Sequence, residues 1–137
     1  MDNWSTESVG PLLMHDAFAF IDRHVATRGK EKPFFLYYCS QAGHSPYAPP
    51  VSFNVKDPLC TNDLSVSEAI PIAGTTVNKR TDMIREGDAA LGLFIEKLTS
   101  IGLFHNTLIV FTSDNGAAVG PSSSWDQSLY HDAKDNS

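Results

Sequence analysis

Basic residues are scarce in this sequence. Ten lysines and arginines stand against sixteen aspartates and glutamates, giving a formal net charge of −6. No basic run exceeds two adjacent cations, which argues against nucleic acid or an anionic membrane as a partner. Cysteine is also sparse. Cys39 and Cys60 are too few for a disulfide framework. Cys39 ends an apolar run, where a buried thiol is expected, whereas Cys60 sits among polar residues, and pairing between them is left open. No apolar stretch approaches the length of a membrane span. Met1-Asp2-Asn3-Trp4-Ser5 has neither a basic start nor an apolar centre, so it does not read as a signal peptide.

What is present suits a folded domain. Apolar residues make up 42% and charged residues 19%, a balance that permits a core. At 137 residues the length suggests about one domain. After a polar lead-in, Pro11 suits a first helical turn. Leu13, Ala17, Phe20, Ile21, His24 and Val25 recur at helical spacing, and Gly29 is a stop signal, which predicts a helix from about 10 to 27. Phe34-Phe35-Leu36-Tyr37-Tyr38-Cys39 is apolar without alternation, as in a strand covered on both faces. It leads into Ser40-Gln41-Ala42-Gly43-His44-Ser45-Pro46, a polar loop. Residues 48–80 show no strong periodicity and read as an irregular excursion.

A second helix follows. Met83, Ile84, Gly87, Leu91, Phe94, Ile95, Leu98 and Ile101 form its stripe, with Thr81 or Asp82 as a start signal and Gly102 as a stop. Asp88 falls on that stripe and is expected to be paired with a buried donor. Leu108-Ile109-Val110-Phe111 then predicts a buried strand, which breaks off in Ser113-Asp114-Asn115-Gly116. Asn-Gly is a strong hairpin signal, and a carboxylate beside an amide oxygen also suits Ca²⁺ or Mg²⁺. These residues alone leave both readings open. The last residues, 119–137, are a polar tail.

Two buried strands linked through a helix imply a parallel, right-handed pair. That geometry predicts His44 and Asp114 at the same sheet edge, where open α/β sheets bind ligands.

Taken together, these pieces resemble one family. Pro33-Phe34-Phe35-Leu36-Tyr37 followed by His44-Ser45-Pro46 resembles the sulfatase pattern of an apolar strand and a His-x-Pro loop. Asp88-Ala89-Ala90-Leu91-Gly92 through Leu98, then Gly102, Asn106-Thr107-Leu108 and Ser113-Asp114-Asn115-Gly116, is similar to the helix, strand and metal loop of the same family. The likeness covers about residues 12 to 118, with a gap in the excursion. It implies part of a sulfatase catalytic domain of the alkaline phosphatase superfamily. The expected fold is α/β, part of a sandwich whose mainly parallel central sheet is flanked by helices.

The resemblance also implies roles. Asp114 and Asn115 match ligands of a divalent cation, Ca²⁺ in most sulfatases, and His44 matches a histidine that contacts the sulfate. An imidazolium there would donate to a sulfate oxygen or protonate a leaving alkoxide. Tyr37 and Tyr38 are expected in the core, His15 and His24 on a helix face, and His105 in solvent. His131-Asp132 reads weakly as a metal pair, and Ser122-Ser123-Ser124 as linker rather than nucleophile. The departures are specific. The Cys/Ser-x-Pro-Ser-Arg motif that yields formylglycine is absent, as are the paired aspartates and the Arg-Gly-x-Lys stretch. Lys134, the sole lysine after Gly116, has non-matching neighbours.

The expected function is therefore a fragment of a sulfuric-ester hydrolase without its nucleophile. The alternatives are a non-catalytic binding module derived from the same fold, or a fragment of a related phosphodiesterase or phosphonate hydrolase. The parent's partner is expected to be a sulfated small molecule or glycan. By resemblance the parent is exported, to periplasm, extracellular space or lysosome.

Overall fold

A computed structural model describes residues 6–53 and 69–115. The chain forms two compact units, Met1–Asn106 and Thr107–Ser137. Among the described residues, the helices and strands lie in the first. A 3-10 turn, Thr6–Ser8, runs into α1, Val9–Arg28. Pro11 sits in the first turn, where its missing N–H costs nothing, and Gly29 follows the last turn at φ 79°. The expected helix is thus present, one residue longer at each end. Its buried face is Gly10, Pro11, Met14, Ala17, Phe18 and Ile21, so the stripe is rotated from the expected one and Leu13 is exposed.

The second helix, α2, runs Lys79–Ser100. Asn78 caps it through its side chain, in a reciprocal box with Thr81. The start signal is thus Asn78, three or four residues before the expected Thr81 or Asp82. At the other end Gly102 N–H reaches Thr99 O at 3.0 Å and Leu103 N–H reaches Leu98 O at 2.8 Å, a Schellman closure that needs Gly102 at φ 75°. The buried face is Asp82, Met83, Glu86, Ala90, Leu93 and Leu98. Ile84 and Asp88 are exposed, so Asp88 is not the paired core carboxylate that its spacing suggested. The hydrophobic stripe misleads here because two acidic residues occupy the inner face.

Within the excursion lies a short antiparallel ladder, β1 (Ser52–Phe53) with β2 (Ile70–Pro71), in register Ser52↔Pro71 and Phe53↔Ile70. Ile72 N–H to Val51 O and Ala73 N–H to Pro50 O, both 3.1 Å, extend the pairing beyond the strands. Phe53 and Ile72 are fully buried and complete a core with Met14, Phe18, Ala90 and Leu93. The helices meet there, with Phe18 and Phe94 edge to face at 5.5 Å and Lys97 bonded to Asp22 at 2.6 Å.

Neither apolar run forms the expected parallel strand. Among the described residues, 34–39 and 108–112 belong to no ladder. The first run still has strand-like alternation. Phe34, Leu36 and Tyr38 are half-buried, with Phe34 against Phe20 and His24 and Tyr38 against Phe94, whereas Phe35 and Tyr37 are 85% and 79% exposed. One face is covered by helices and the other is largely exposed, which corrects the expectation of two covered faces and of a buried Tyr37. Cys39, on the exposed face, is an exposed free thiol rather than a buried one. Within the second unit Leu108, Val110 and Phe111 are exposed, so that run is not a buried strand either. The physical reason is common to both: an apolar run becomes a buried strand only beside partners that take up its backbone groups and cover its side chains. Cys60, Ser122–Ser124, His131, Asp132 and Lys134 lie outside the described residues.

Candidate functional site

His44 lies in a tight loop after the extended run. Its N–H donates to Gln41 O at 3.0 Å, Ala42 N–H donates to Ser40 Oγ at 3.1 Å, and Gly43 takes φ 79°, which a side chain would strain. The Ser45–Pro46 peptide is cis. The imidazole is exposed, and its Nδ1 meets the Ser45 carbonyl oxygen. A carbonyl only accepts, so Nδ1 carries the proton. The outer nitrogen, Nε2, is then a lone-pair acceptor in the neutral ring and a donor in the imidazolium.

The loop rests on α2. A Cβ placed on Gly87 would lie 2.9 Å from the Ala42 Cβ, and one on Gly43 would lie 3.6 Å from Ile84 Cγ1. Gly87 is therefore what lets the loop approach the helix. Gln41 Nε2 also donates to Thr6 O at 3.0 Å, tying the loop to the turn before α1.

Beneath this junction lie two carboxylates that the hydrophobic pattern conceals. Asp82 accepts from Gly74 N–H, Thr76 N–H and the Thr76 hydroxyl at 2.7 to 2.8 Å. The Thr76 hydroxyl, followed by these backbone donors, holds the Asp82 carboxyl below the usual range despite burial. Glu86 is buried, and its Oε2 has no hydrogen-bond partner. Burial pushes it up to about 7. Burial also raises the Tyr38 hydroxyl, with Glu86 adding to the effect. The available signal was spacing: positions 82, 86, 90 and 93 share a helical face.

Asp114 and Asn115 stand in the second unit, both exposed. Asp114 Oδ1 accepts from Asn115 N–H at 2.8 Å, and Ser113 Oγ donates to Asn115 O at 2.6 Å. The donor types suit a hard cation, since both side chains offer oxygen. Two such side chains fall well short of the six to eight oxygens that Ca²⁺ takes. Among the described residues no three His, Cys, Asp or Glu side chains cluster as a metal centre would require. His44 and the Asp114-Asn115 pair belong to different units. Of the other histidines, His15 and His105 are exposed as expected, and His24 Nε2 donates to Lys32 O at 2.8 Å from the helix face.

The family model for sulfatases matches residues 3–137. This chain belongs to the sulfatase family. The sulfatase chain is 32% identical to an N-acetylgalactosamine-6-O-sulfatase of Bacteroides thetaiotaomicron over 85% of its own length and 18% of that protein's. It is 31% identical to human N-acetylgalactosamine-6-sulfatase, covering 79% of this chain and 16% of the relative. With human arylsulfatase A it shares 31% identity over 83% of its length and 20% of the relative's. It thus spans about a fifth, or less, of the curated sulfatases it matches. No solved structure matches. Membership in the family implies an α/β fold of alkaline-phosphatase type. Among the described residues of this sulfatase chain, no helix is long and apolar enough to cross a membrane.

Proposed function

We propose that this chain is a piece of a sulfuric-ester hydrolase, carrying part of the sulfate and divalent-metal site of a larger catalytic domain. The observation that carries this reading is the sulfatase match across 3–137. The parent's fold is a sandwich with a mainly parallel central sheet flanked by helices.

His44 is assigned the sulfate contact. With Nδ1 committed to Ser45, Nε2 is left to donate, when the ring is protonated, to a sulfate oxygen or to the departing alkoxide. Asp114 and Asn115 are assigned to Ca²⁺ or another divalent cation, supplying two of its oxygens. The cation, when bound, neutralises charge on sulfate oxygens. The nucleophile, formylglycine in the family resembled, has no counterpart in this sequence. The substrate class is a sulfated small molecule or glycan, in line with the relatives' names, and the parent is exported.

The test is an aryl-sulfate assay on purified residues 1–137, with and without calcium. No turnover is expected, because loss of a covalent nucleophile removes the reaction path. Calcium-dependent turnover by this chain would overturn the assignment of a missing nucleophile.

A further inference from the structure

The buried Glu86 carboxyl plays no part in the chemistry assigned to His44, yet it occupies the point where three segments meet. It is 2% exposed and its Oε2 lacks a partner. Its Oε1 presses against the first turn of α1: a Cβ on Gly10 would lie 1.6 Å from that oxygen and 3.6 Å from the Phe53 ring. Gly10 is thus a cradle shaped to this carboxyl. The next residue along α2, Gly87, seats Ala42, and Ile84 seats Gly43. Gln41 closes the ring by binding Thr6 just ahead of α1.

We propose that Glu86 is a proton-sensitive latch: as the neutral acid it holds the start of α1 and the 41–44 loop together on α2, and its ionisation loosens both. The physical basis is the cost of an unpaired carboxylate in an apolar site, which a neutral carboxyl largely avoids. Among the described residues, no cation forms an ion pair with Glu86. The first turn of α1 and β1 carry no charged residue. Tyr38, on the extended run, is kept protonated by burial and by the nearby Glu86, and Oε2 receives no hydrogen bond from it. Asp82, one turn away on α2, is engaged by Gly74 and Thr76. The remaining titratable groups of these elements near it in sequence or on the loop, Glu7, Arg85, Asp88 and His44, are exposed. Burial raises the carboxyl to about 7, which places the transition near neutrality.

The sign follows from the direction of the shift. A carboxyl raised in the closed state favours closure fully below its ordinary range, and that contribution is lost as pH rises through about 7. With an ordinary carboxylate value in the open state, the opening constant rises on the order of thirtyfold between pH 5.5 and 8.5. The inference concerns how the loop is seated and stands whether or not His44 contacts sulfate.

The experiment is amide hydrogen exchange of the full chain at these two pH values, corrected for intrinsic exchange, read on peptides spanning 6–14 and 38–46. The wild type should lose protection in both peptides together at the higher pH. Glu86→Gln, which cannot ionise, should show the same protection at both, whatever its absolute level. Gly10→Ala should lower protection in both peptides at either pH by pushing on Oε1. Equal pH dependence in wild type and Glu86→Gln would overturn the latch, as would a 38–46 peptide unprotected at pH 5.5 in the wild type.

Discussion

At the scale of single residues, the two inner-face carboxylates behave in opposite ways for one reason, the presence or absence of donors. Glu86 has no hydrogen-bond partner at Oε2 and is pushed up by burial; Asp82 is surrounded by Gly74 and Thr76 donors and is held down. Asp82 in its ionised form therefore ties the 74–76 turn to the first turn of α2. Its contribution to stability is present above the ordinary carboxylate range and is lost as pH falls through its lowered value. Asp82→Asn should make the loss of stability on acidification below the ordinary carboxylate range shallower. Urea midpoints at descending pH measure it, and an unchanged acid slope in the variant would contradict the assignment.

At the scale of elements, the helices were legible and the sheet was not. Pro11, Gly29 and Gly102 punctuate the sequence through backbone constraints that act locally, so the helix limits follow from them. Which face is buried depends on tertiary contacts. Met14 and Phe18 turn inward while Leu13 turns outward, and Asp82 and Glu86 occupy interior positions that an apolar stripe cannot reveal. The His44 loop is legible in its residues, but its seat on Gly87 depends on how the loop packs against α2. The apolar runs were recognised as strand-like, yet burial needs neighbours that the described residues do not provide. Phe35, Tyr37, Leu108, Val110 and Phe111 are each more than 70% exposed. Such runs, with backbone groups outside any ladder, favour association between chains. The chain of residues 1–137 is accordingly expected to self-associate through these runs as its concentration rises, with the helical core still folded, and to sediment above its monomer mass. A monomer at every concentration in sedimentation would contradict this.

At the scale of the whole molecule, the chain joins a small helical core bearing His44 to a second unit bearing Asp114 and Asn115. The family is established by the match over 3–137; the roles given to His44, Asp114 and Asn115 are the proposal on which function rests. Its most direct test is aryl-sulfate turnover by a full-length parent that contains this sequence, compared with its Asp114→Ala and His44→Ala variants. The account predicts calcium-dependent turnover by the parent and a loss of about a hundredfold or more in each variant, the scale of a missing general acid or charge-stabilising group. Turnover at the parental level in either variant would contradict the site as assigned.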